Sequence, residues 1–506
     1  MVSKKIIFLG LSLFGTVGYA QDSQKVKNES FIDRTSLYDV SLRRMNNLSS
    51  LKPSYFSQDY TSVQVGYDYS SKKNYDWQEG SGSQDFTFQS ETYQILNNDI
   101  TVWGNAHFKS IKLKGIRFNE NLDYAQVYPY FLADSLGGDL IQESYYFGGG
   151  LAKRINKWTL GIEGYLTANQ GYRQVDPRPL NKSTLIDLQG SLGRQLGDNY
   201  SLSMAIDYTF YKQTSRLSFV SLLGRPLIFN LNGPGAYNNL LTGMGPSGAS
   251  NALAYYENNK LKFTFILSPK KSGLFSKWSI EQRTGEKFTN HSNESINFWT
   301  DEQLNIDLGY HKQLDSWYWH AMGAWNSRRM KGADGLFTTI NSSGSGGYNK
   351  IADRSSYRYF SDSYQATLLV GSPSRWNTQL QVSYKENQEQ YISPFRNMER
   401  PPLDISFSAQ YFIKHKKNIL ETTVQIAKRT LTNQDFNFSN VNLSSEIGQL
   451  LANNWDYKVA KPIFADIQLQ YLINLNNGIA PFVKLNAGYM SEVEQSKFAL
   501  HLGINF

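Results

Sequence analysis

Apolar and polar side chains alternate along several segments of about 10–14 residues. In residues 200–211 the even-numbered positions are apolar or aromatic, and the odd-numbered positions are mostly small or polar. The same period of two recurs in residues 376–385, 403–414 and 463–474. Successive residues of a strand point to opposite faces, so each segment predicts a β-strand with one apolar and one polar side.

The length of these segments separates two classes of all-β protein. Strands of soluble sheets run to about 5–6 residues, whereas strands that cross a bilayer at a tilt need about 9–11. The apolar faces also tend to begin or end with Trp, Tyr or Phe, as expected where a barrel meets lipid headgroups. A lipid-facing sheet must close on itself, because unpaired backbone groups are costly in hydrocarbon. The pattern therefore favours an antiparallel transmembrane β-barrel over a secreted β-sandwich.

Short polar turns alternate with longer connections rich in Gly, Ser and Asn. Eight short turns are predicted near residues 96–99, 156–157, 197–199, 275–277, 314–316, 372–375, 415–418 and 476–478. The notable long connections are residues 113–142, 214–251, 331–356 and 431–460. Bacterial barrels have short periplasmic turns and long extracellular loops, so this count predicts about 18 strands, with about 16 as the alternative.

The first 20 residues have the three parts of a secretory signal peptide. Lys4 and Lys5 precede a short apolar stretch at residues 6–17, and Gly18-Tyr19-Ala20 supplies a small-residue cleavage site. We therefore predict export from the cytoplasm, with residues 61–506 forming the barrel.

Residues 21–60 are predicted to form a separate N-terminal segment. Residues 35–39 suit the start of a short helix, which apolar positions up to Leu51 continue at approximate helical spacing until Pro53. One interpretation is a plug or periplasmic element in which Arg43 and Arg44 face the lumen or a partner. The alternative is a solvated tether.

The end of the chain resembles the last strand of Gram-negative outer-membrane β-barrels. Phe498, Leu500, Leu502, Ile504 and the terminal Phe506 alternate with small or polar residues. In that class the terminal aromatic is recognised by the barrel-assembly machinery. Together with the signal peptide, the aromatic-rich strands and the Asn/Gly/Tyr-rich loops, this resembles single-chain barrels of Bacteroidota-type bacteria. The resemblance implies an outer-membrane location, with outer-membrane lipid and the assembly machinery as partners, and it carries over no functional residues.

Composition argues against several kinds of chemistry. The chain has no Cys, which excludes thiolate metal sites and thiol catalysis. Its net charge of +8 is spread without a Lys/Arg block, so nucleic acid is a poor candidate partner. The six histidines include no i, i+4 metal pair, and residues 243–248 match G-x-G-x-x-G outside a βαβ context. No metal or cofactor is predicted.

Polar faces of the predicted strands supply candidate groups for the lumen. In a pore such charges set the field felt by a solute, whereas charges of opposite sign that pair across strands only keep the interior wet. The candidates are Glu163, Asp187, Asp207, Glu281, Arg283, Asp307, Lys385, Asp404, Glu421, Asp466 and Lys484.

Aromatic and amide residues in the long loops permit two interpretations. They suit stacking on sugars or aromatic ligands, or they pack a folded loop. They include Tyr124, Tyr128, Tyr130, Phe131, Tyr237, Asn238 and Asn239.

Three functions remain open from the sequence. The first is a channel or accessory transport component for a hydrophilic or amphipathic solute, working beside a transporter or surface lipoproteins. The second is a non-conducting scaffold or secretion accessory whose lumen is closed by residues 21–60 and by inward loops. The third is a lipid-active barrel enzyme in which His311, His320 or His501 assists a nucleophile. We favour the first, and an enzyme is not expected.

Overall fold

The computed structural model describes residues 28–221, 227–237, 251–289, 292–340, 347–372, 375–438, 441–475 and 479–506. The predicted signal peptide, the turn at 476–478, the motif at 243–248 and residues Asn238 and Asn239 lie outside these residues.

Eighteen antiparallel strands form a closed barrel, because the first strand pairs with both the second and the last. This confirms the predicted fold class and strand number. The barrel strands are β1 (Tyr60–Ser71), β2 (Gly82–Asn97), β3 (Ile100–Ile116), β5 (Gly138–Ile155), β6 (Trp158–Tyr172), β7 (Arg178–Leu196), β8 (Tyr200–Ser218), β10 (Asn251–Pro269), β11 (Gly273–Thr289), β12 (Ser292–Gln313), β13 (Tyr318–Ile340), β14 (Gly347–Ser372), β15 (Trp376–Tyr391), β17 (Pro402–His415), β18 (Asn418–Leu431), β20 (Ile463–Leu472), β21 (Ala480–Met490) and β22 (Gln495–Asn505).

Burial alternates along the barrel strands as the sequence pattern predicts. In β8, Met204 and Ile206 are 51% and 53% exposed, while Ser203 and Ala205, on the other face of the strand, are buried. Exposed Ile, Leu, Phe and Trp side chains recur on the outward faces of neighbouring strands, where hydrocarbon is their natural solvent. The outer surface is therefore an apolar belt, and the polar faces line the lumen.

The connections between strands differ at the two ends of the barrel. We call the end that carries the short turns, the start of β1 and the end of β22 the turn end, and the opposite end the loop end. The turn predicted at 275–277 is wrong, since these residues lie in β11 and the chain reverses at 270–272, after Pro269. The connection predicted at 331–356 is mostly strand, because cross-strand pairing carries β13 and β14 beyond the apolar belt.

Residues 28–59, which we call the inner segment, lie inside the turn end of the barrel. They form α1 (Asn28–Thr35), α2 (Leu37–Met45) and a 3₁₀ helix (Ser49–Ser54). The Ser36 side chain caps α2 by accepting a hydrogen bond from the Asp39 N–H at 3.1 Å. The single helix predicted from 35 to Pro53 is thus two pieces, because α2 ends at Met45 and Pro53 lies within the 3₁₀ helix.

Inward loops, which we call the outer cap, fill the loop end. The outer cap comprises residues 117–137, 227–237 and 441–458. It contains α3 (Tyr124–Val127), α4 (Glu446–Lys458) and a two-stranded sheet of β4 (Tyr130–Asp134) and β9 (Ile228–Asn232), in which all ten residues are buried. Two further short strands, β16 (Arg396–Glu399) and β19 (Asp435–Phe438), pair with each other at the loop end. Among the described helices, none is long and apolar enough to cross a bilayer.

Candidate functional site in the barrel lumen

The 3₁₀ helix of the inner segment lies against a notch in the wall formed by β6 and β7. The Ser49 N–H donates to Gln189 Oε1 at 2.8 Å, and the Ser50 N–H donates to Ser191 Oγ at 2.7 Å. The notch exists because position 161 is glycine: a Cβ there would lie 2.4 Å from the Ser50 nitrogen. The backbone of the inner segment therefore contacts the backbone of the wall directly.

A buried ion pair joins the inner segment to the wall just beyond this notch. The ammonium group of Lys52 contacts the Glu163 carboxylate, which also accepts hydrogen bonds from Tyr165 at 2.7 Å and from the Trp103 indole at 3.2 Å. The same ammonium lies 4.6 Å from the Trp103 ring centroid. Burial lowers the pKa of Lys52, and the carboxylate partner opposes that shift. Glu163 is thus the wall group at which an inner-segment cation and two wall side chains meet.

The two α-helices of the inner segment contact other sectors of the wall. Gln410 of β17 accepts a hydrogen bond from the Leu37 N–H at 2.8 Å, and its amide donates to the Thr35 carbonyl at 3.0 Å and to Glu421 at 2.9 Å. The Tyr38 hydroxyl lies 2.9 Å from Nε2 of His311 on β12. The contacts thus extend around much of the wall.

Apolar groups complete the attachment of the inner segment. Phe31 and Ile32 of α1 pack against Phe412, Ile419 and Leu472 of the wall. Met45, Leu48 and Leu51 form a second cluster with inward side chains of β8, β10 and β11, namely Ala205, Ile266 and Phe275. A cleft of about 590 Å³ remains between the inner segment and the turn-end rim of the wall, with Arg43, Arg154 and Lys270 among its lining residues.

The outer cap is anchored to the wall by a second set of polar contacts. Asp123 accepts hydrogen bonds from Asn169 at 3.1 Å, Ser183 at 2.5 Å and Tyr211 at 3.2 Å. The Gln126 side chain accepts a hydrogen bond from Arg283 at 3.2 Å. These four hydrogen bonds tie one loop to strands β6, β7, β8 and β11.

A buried carboxyl group of the outer cap lies beside a buried guanidinium group of the connection between β6 and β7. Arg173 contacts Glu120 at 3.1 Å, and both side chains are almost fully buried. Burial and the neighbouring Asp134 raise the pKa of Glu120 well above its ordinary value, against the effect of Arg173. Around this pair the outer cap has an apolar core that includes Phe118, Tyr130 and Phe131, so its closure of the loop end is both polar and apolar.

The eleven lumen candidates all lie on inward faces, in three environments. Glu163 and Glu421 contact the inner segment or its anchors, and Arg283 contacts the outer cap. Four are bound by groups on neighbouring strands, namely Asp207 by Gln189, Glu281 by Lys260, Asp404 by Arg429 and Asp466 by Asn486. The remaining four have no ion-pair partner within 4 Å in the described part of the chain, namely Asp187, Asp307, Lys385 and Lys484.

A comparison with known protein families identifies the family of this chain. Residues 49–506 match the model of a family of unknown function, DUF6850. The chain belongs to this family. Comparison with curated proteins finds no sequence match.

Solved outer-membrane proteins resemble this DUF6850 member only distantly. BauA, the ferric preacinetobactin receptor from Acinetobacter baumannii, is 8% identical with a TM-score of 0.40, over 89% of this chain and 80% of that one. The Fiu receptor from E. coli K12 is 8% identical with a TM-score of 0.42, over 89% and 82%. The outer-membrane protein opdK from Pseudomonas aeruginosa is 9% identical with a TM-score of 0.36, over 89% and 99%.

The arginines predicted for a plug have different surroundings in this DUF6850 member. Arg43 donates to the Arg34 carbonyl at 2.7 Å and its guanidinium lies over the Phe56 ring, so it holds the inner segment together. Arg44 is exposed. Of the loop aromatics, Tyr130 and Phe131 are fully buried, so they pack the outer cap.

The three histidines considered for catalysis also have defined surroundings. His311 contacts Tyr38, His320 is buried beside His311 with 6.3 Å between ring centroids, and His501 contacts Asp68 at 3.1 Å. Among the described residues, none of the three is hydrogen-bonded to a serine or threonine hydroxyl. No group of three His, Asp or Glu side chains in the described ranges is arranged to hold a metal ion.

Sequence reasoning missed the groups that hold the two closures. Lys52 of the inner segment and the wall residues Gln189 and Gln410 attach the inner segment to the wall, and Asp123 attaches the outer cap to the wall. One signal was available: residues 130–133 form an uninterrupted apolar run inside a predicted loop, as a fully buried strand does.

Proposed function

We propose that this protein is a gated transport component of the outer membrane for a hydrophilic or amphipathic solute. In this proposal the inner segment closes the lumen from the periplasm and the outer cap closes it from outside. The proposal depends on one observation above all: the inner segment is bound to a hydrophilic wall by the Lys52–Glu163 ion pair and by hydrogen bonds to Gln189, Ser191 and Gln410.

Contacts of this kind suit a closure that opens. A buried ion pair recovers in Coulomb attraction little more than the desolvation that it costs, so its net contribution to docking is small. Hydrogen bonds of the inner segment to the wall can be exchanged for hydrogen bonds to water when the segment leaves. Behind the closure the wall keeps charges of both signs, such as Asp187 and Lys385, that have no ion-pair partner among the described residues and would act on a passing solute.

Single-channel recording in planar bilayers tests this function. The folded full-length chain is compared with a chain lacking residues 21–59, and with the same truncation carrying Asp123→Ala, which removes the main polar anchor of the outer cap. We expect rare, brief openings in the full-length chain, more in the truncated chain, and stable, salt-dependent openings when both closures are altered. Asp466→Asn is the matched control, because the Asp466 carboxylate accepts a hydrogen bond from the wall residue Asn486 and the residue belongs to neither closure.

A second function is favoured by a different observation, the apolar core of the outer cap. Trp299, Tyr256 and Tyr357 of the wall are fully buried against it, as in a permanent core. A non-conducting scaffold or secretion accessory would need such a core. Persistent electrical silence of the doubly altered barrel, with normal folding in the same preparation, would refute transport and leave the scaffold.

Location and assembly belong to the same proposal. Residues 1–20 would direct export, and the strand ending at Phe506 would be recognised during insertion. Phe506 is hydrogen-bonded to Thr61 in both directions, at 2.7 and 2.9 Å, so it lies in the seam that closes the barrel. Surface lipoproteins or a transporter remain candidate partners.

A further inference from the structure

Two cations lie directly opposite each other on the outer face of the barrel, above the apolar belt. Lys331 of β13 and Arg358 of β14 are cross-strand partners, and both side chains are exposed. Nearer the turn end, the outward positions of the same strands hold Phe360 and the Arg329–Asp362 ion pair, and beyond these they are mostly apolar or aromatic, including Tyr364 and Leu368. The two cations therefore lie where the hydrocarbon of the outer leaflet gives way to its headgroups.

Opposed like charges of this kind are unfavourable in a sheet. Directly opposite side chains have Cβ atoms about 4.5–5.5 Å apart, and like charges there destabilise the pair. Within the described residues, neither Lys331 nor Arg358 has a carboxylate partner within 4 Å. The neighbouring carboxylate of Asp362 is already bound by Arg329 through two hydrogen bonds, at 3.3 and 3.0 Å.

The surroundings of the two cations form a shallow groove with apolar and polar parts. The groove has a volume of about 220 Å³, and Arg329, Phe360, Gln388 and Gln390 also line it. The Arg329 guanidinium lies 3.7 Å from the Phe360 ring centroid, which fixes one cation along the apolar floor. The amide nitrogens of Gln388 and Gln390 each donate one hydrogen bond to Asn397 Oδ1, at 3.1 and 3.2 Å, and each carries a second N–H beside the cations.

We propose that this groove binds the phosphate groups of a phosphorylated lipid of the outer leaflet. Lys331 and Arg358 would share one phosphate, which removes their mutual repulsion, and the acyl chains would continue over Phe360 onto the apolar belt. Guanidinium and ammonium groups donate strong, charge-assisted hydrogen bonds to phosphate. Basic groups at the headgroup level of a membrane protein recognise anionic lipid in this way.

An outward cation elsewhere on the barrel provides a contrast. Lys212 of β8 also lies above the apolar belt, just beyond Phe210, but it is paired with Glu257 of β10 at 2.8 Å. Glu257 neutralises the charge of Lys212 within the protein, so we expect Lys212 to contribute little to the binding of a lipid anion. This pair gives a matched control on the same face and at a similar level.

The test measures lipid binding by the folded full-length chain in neutral detergent. The probes are bisphosphorylated lipid A, the same lipid with its phosphates removed, and inorganic phosphate. Native mass spectrometry measures the amount of lipid bound to three proteins: the wild type, Lys331→Gln/Arg358→Gln, and the control Lys212→Gln/Glu257→Gln. We expect the first double variant to lose at least roughly tenfold in affinity for the phosphorylated lipid, and the control to keep it.

A second measurement separates binding from folding. In lipid-free detergent, Lys331→Gln/Arg358→Gln should unfold at a temperature no lower than the wild type, because the variant removes a repulsion. Added phosphorylated lipid should stabilise the wild type and not the variant. Equal affinity in the wild type and the variant would overturn the proposal, as would equal affinity for the dephosphorylated lipid. Displacement of the lipid by millimolar inorganic phosphate would also overturn it, in favour of a site for the free ion.

Discussion

A single methyl group added at Gly161 should displace the 3₁₀ helix of the inner segment from the barrel wall. In Gly161→Ala the new Cβ would lie 2.4 Å from the Ser50 nitrogen, about 1 Å inside ordinary contact. The new Cβ is fixed to the backbone of β6 and the atom that it meets is backbone too, so neither can rotate aside and the 3₁₀ helix must move away. That movement breaks three hydrogen bonds, from Ser49 and Ser50 to Gln189 and Ser191. At about 0.5–1.5 kcal/mol each, the loss is about 2–4 kcal/mol of docking free energy.

Limited proteolysis of the folded barrel in detergent measures this loss. A weakening of about 2–4 kcal/mol raises the undocked fraction of the 3₁₀ helix roughly 30- to 700-fold, so cleavage in and beside residues 49–54 should become much faster. The barrel itself should keep its resistance to SDS at low temperature, because alanine is at least as well suited to a strand as glycine.

Gly190→Ala is the matched control for this experiment. Gly190 lies in β7, close to the notch, but it faces outward and a Cβ there would meet nothing within 4 Å. The control should therefore be cleaved at the wild-type rate. If Gly161→Ala is also cleaved at the wild-type rate, the close approach of the inner segment to the wall is not what holds it, and the reasoning fails.

Two further substitutions test the faces of the barrel and the outer cap. Ile206→Arg should lower folding stability in lipid vesicles by about 2–4 kcal/mol, while Asp207→Asn should be mild; equal urea sensitivity of the two would contradict the assigned faces. Phe131→Ala should destabilise the fully buried core of the outer cap by about 3–5 kcal/mol, read as faster proteolysis of residues 117–137. Leu136→Ala, at an exposed position of the same loop, should leave that rate unchanged.

The barrel itself could be predicted from the sequence because its information is local. Each strand shows its two faces within about ten residues, as Tyr200 to Tyr211 do in β8, and the short turns separate one strand from the next. The error at 275–277 has a local cause too. Several turns lead directly into an aromatic, so the turn was placed before Trp278, which instead lies within β11 and faces the lipid.

The two closures could not be predicted because their contacts are not local. β4 pairs with β9 about 100 residues later in the chain, and both strands are too short, at five residues each, to show the long alternation that marks the barrel. In the sequence alone Lys52 has the signature of a solvated cation, because its partner Glu163 is brought beside it only by the fold. A polar residue on an inward face has the same sequence signature whether it meets solute, a neighbouring strand or the inner segment.

The arrangement of the contacts also determines how the inner segment would leave. Following the chain, Leu37 is bound by β17, Tyr38 by β12, Ser49 and Ser50 by β7, and Lys52 by β6. These anchors follow one another along the segment, so losing one group leaves the others in place. Opening should therefore proceed in steps, each of which frees one sector of the wall. We expect the truncated barrel to open fully at the turn end, and Gly161→Ala to open it only beside β6 and β7. In recordings from barrels whose outer cap is also loosened, the truncation should give one large conductance and Gly161→Ala a smaller one. A single conductance shared by both would mean that the inner segment leaves as one unit.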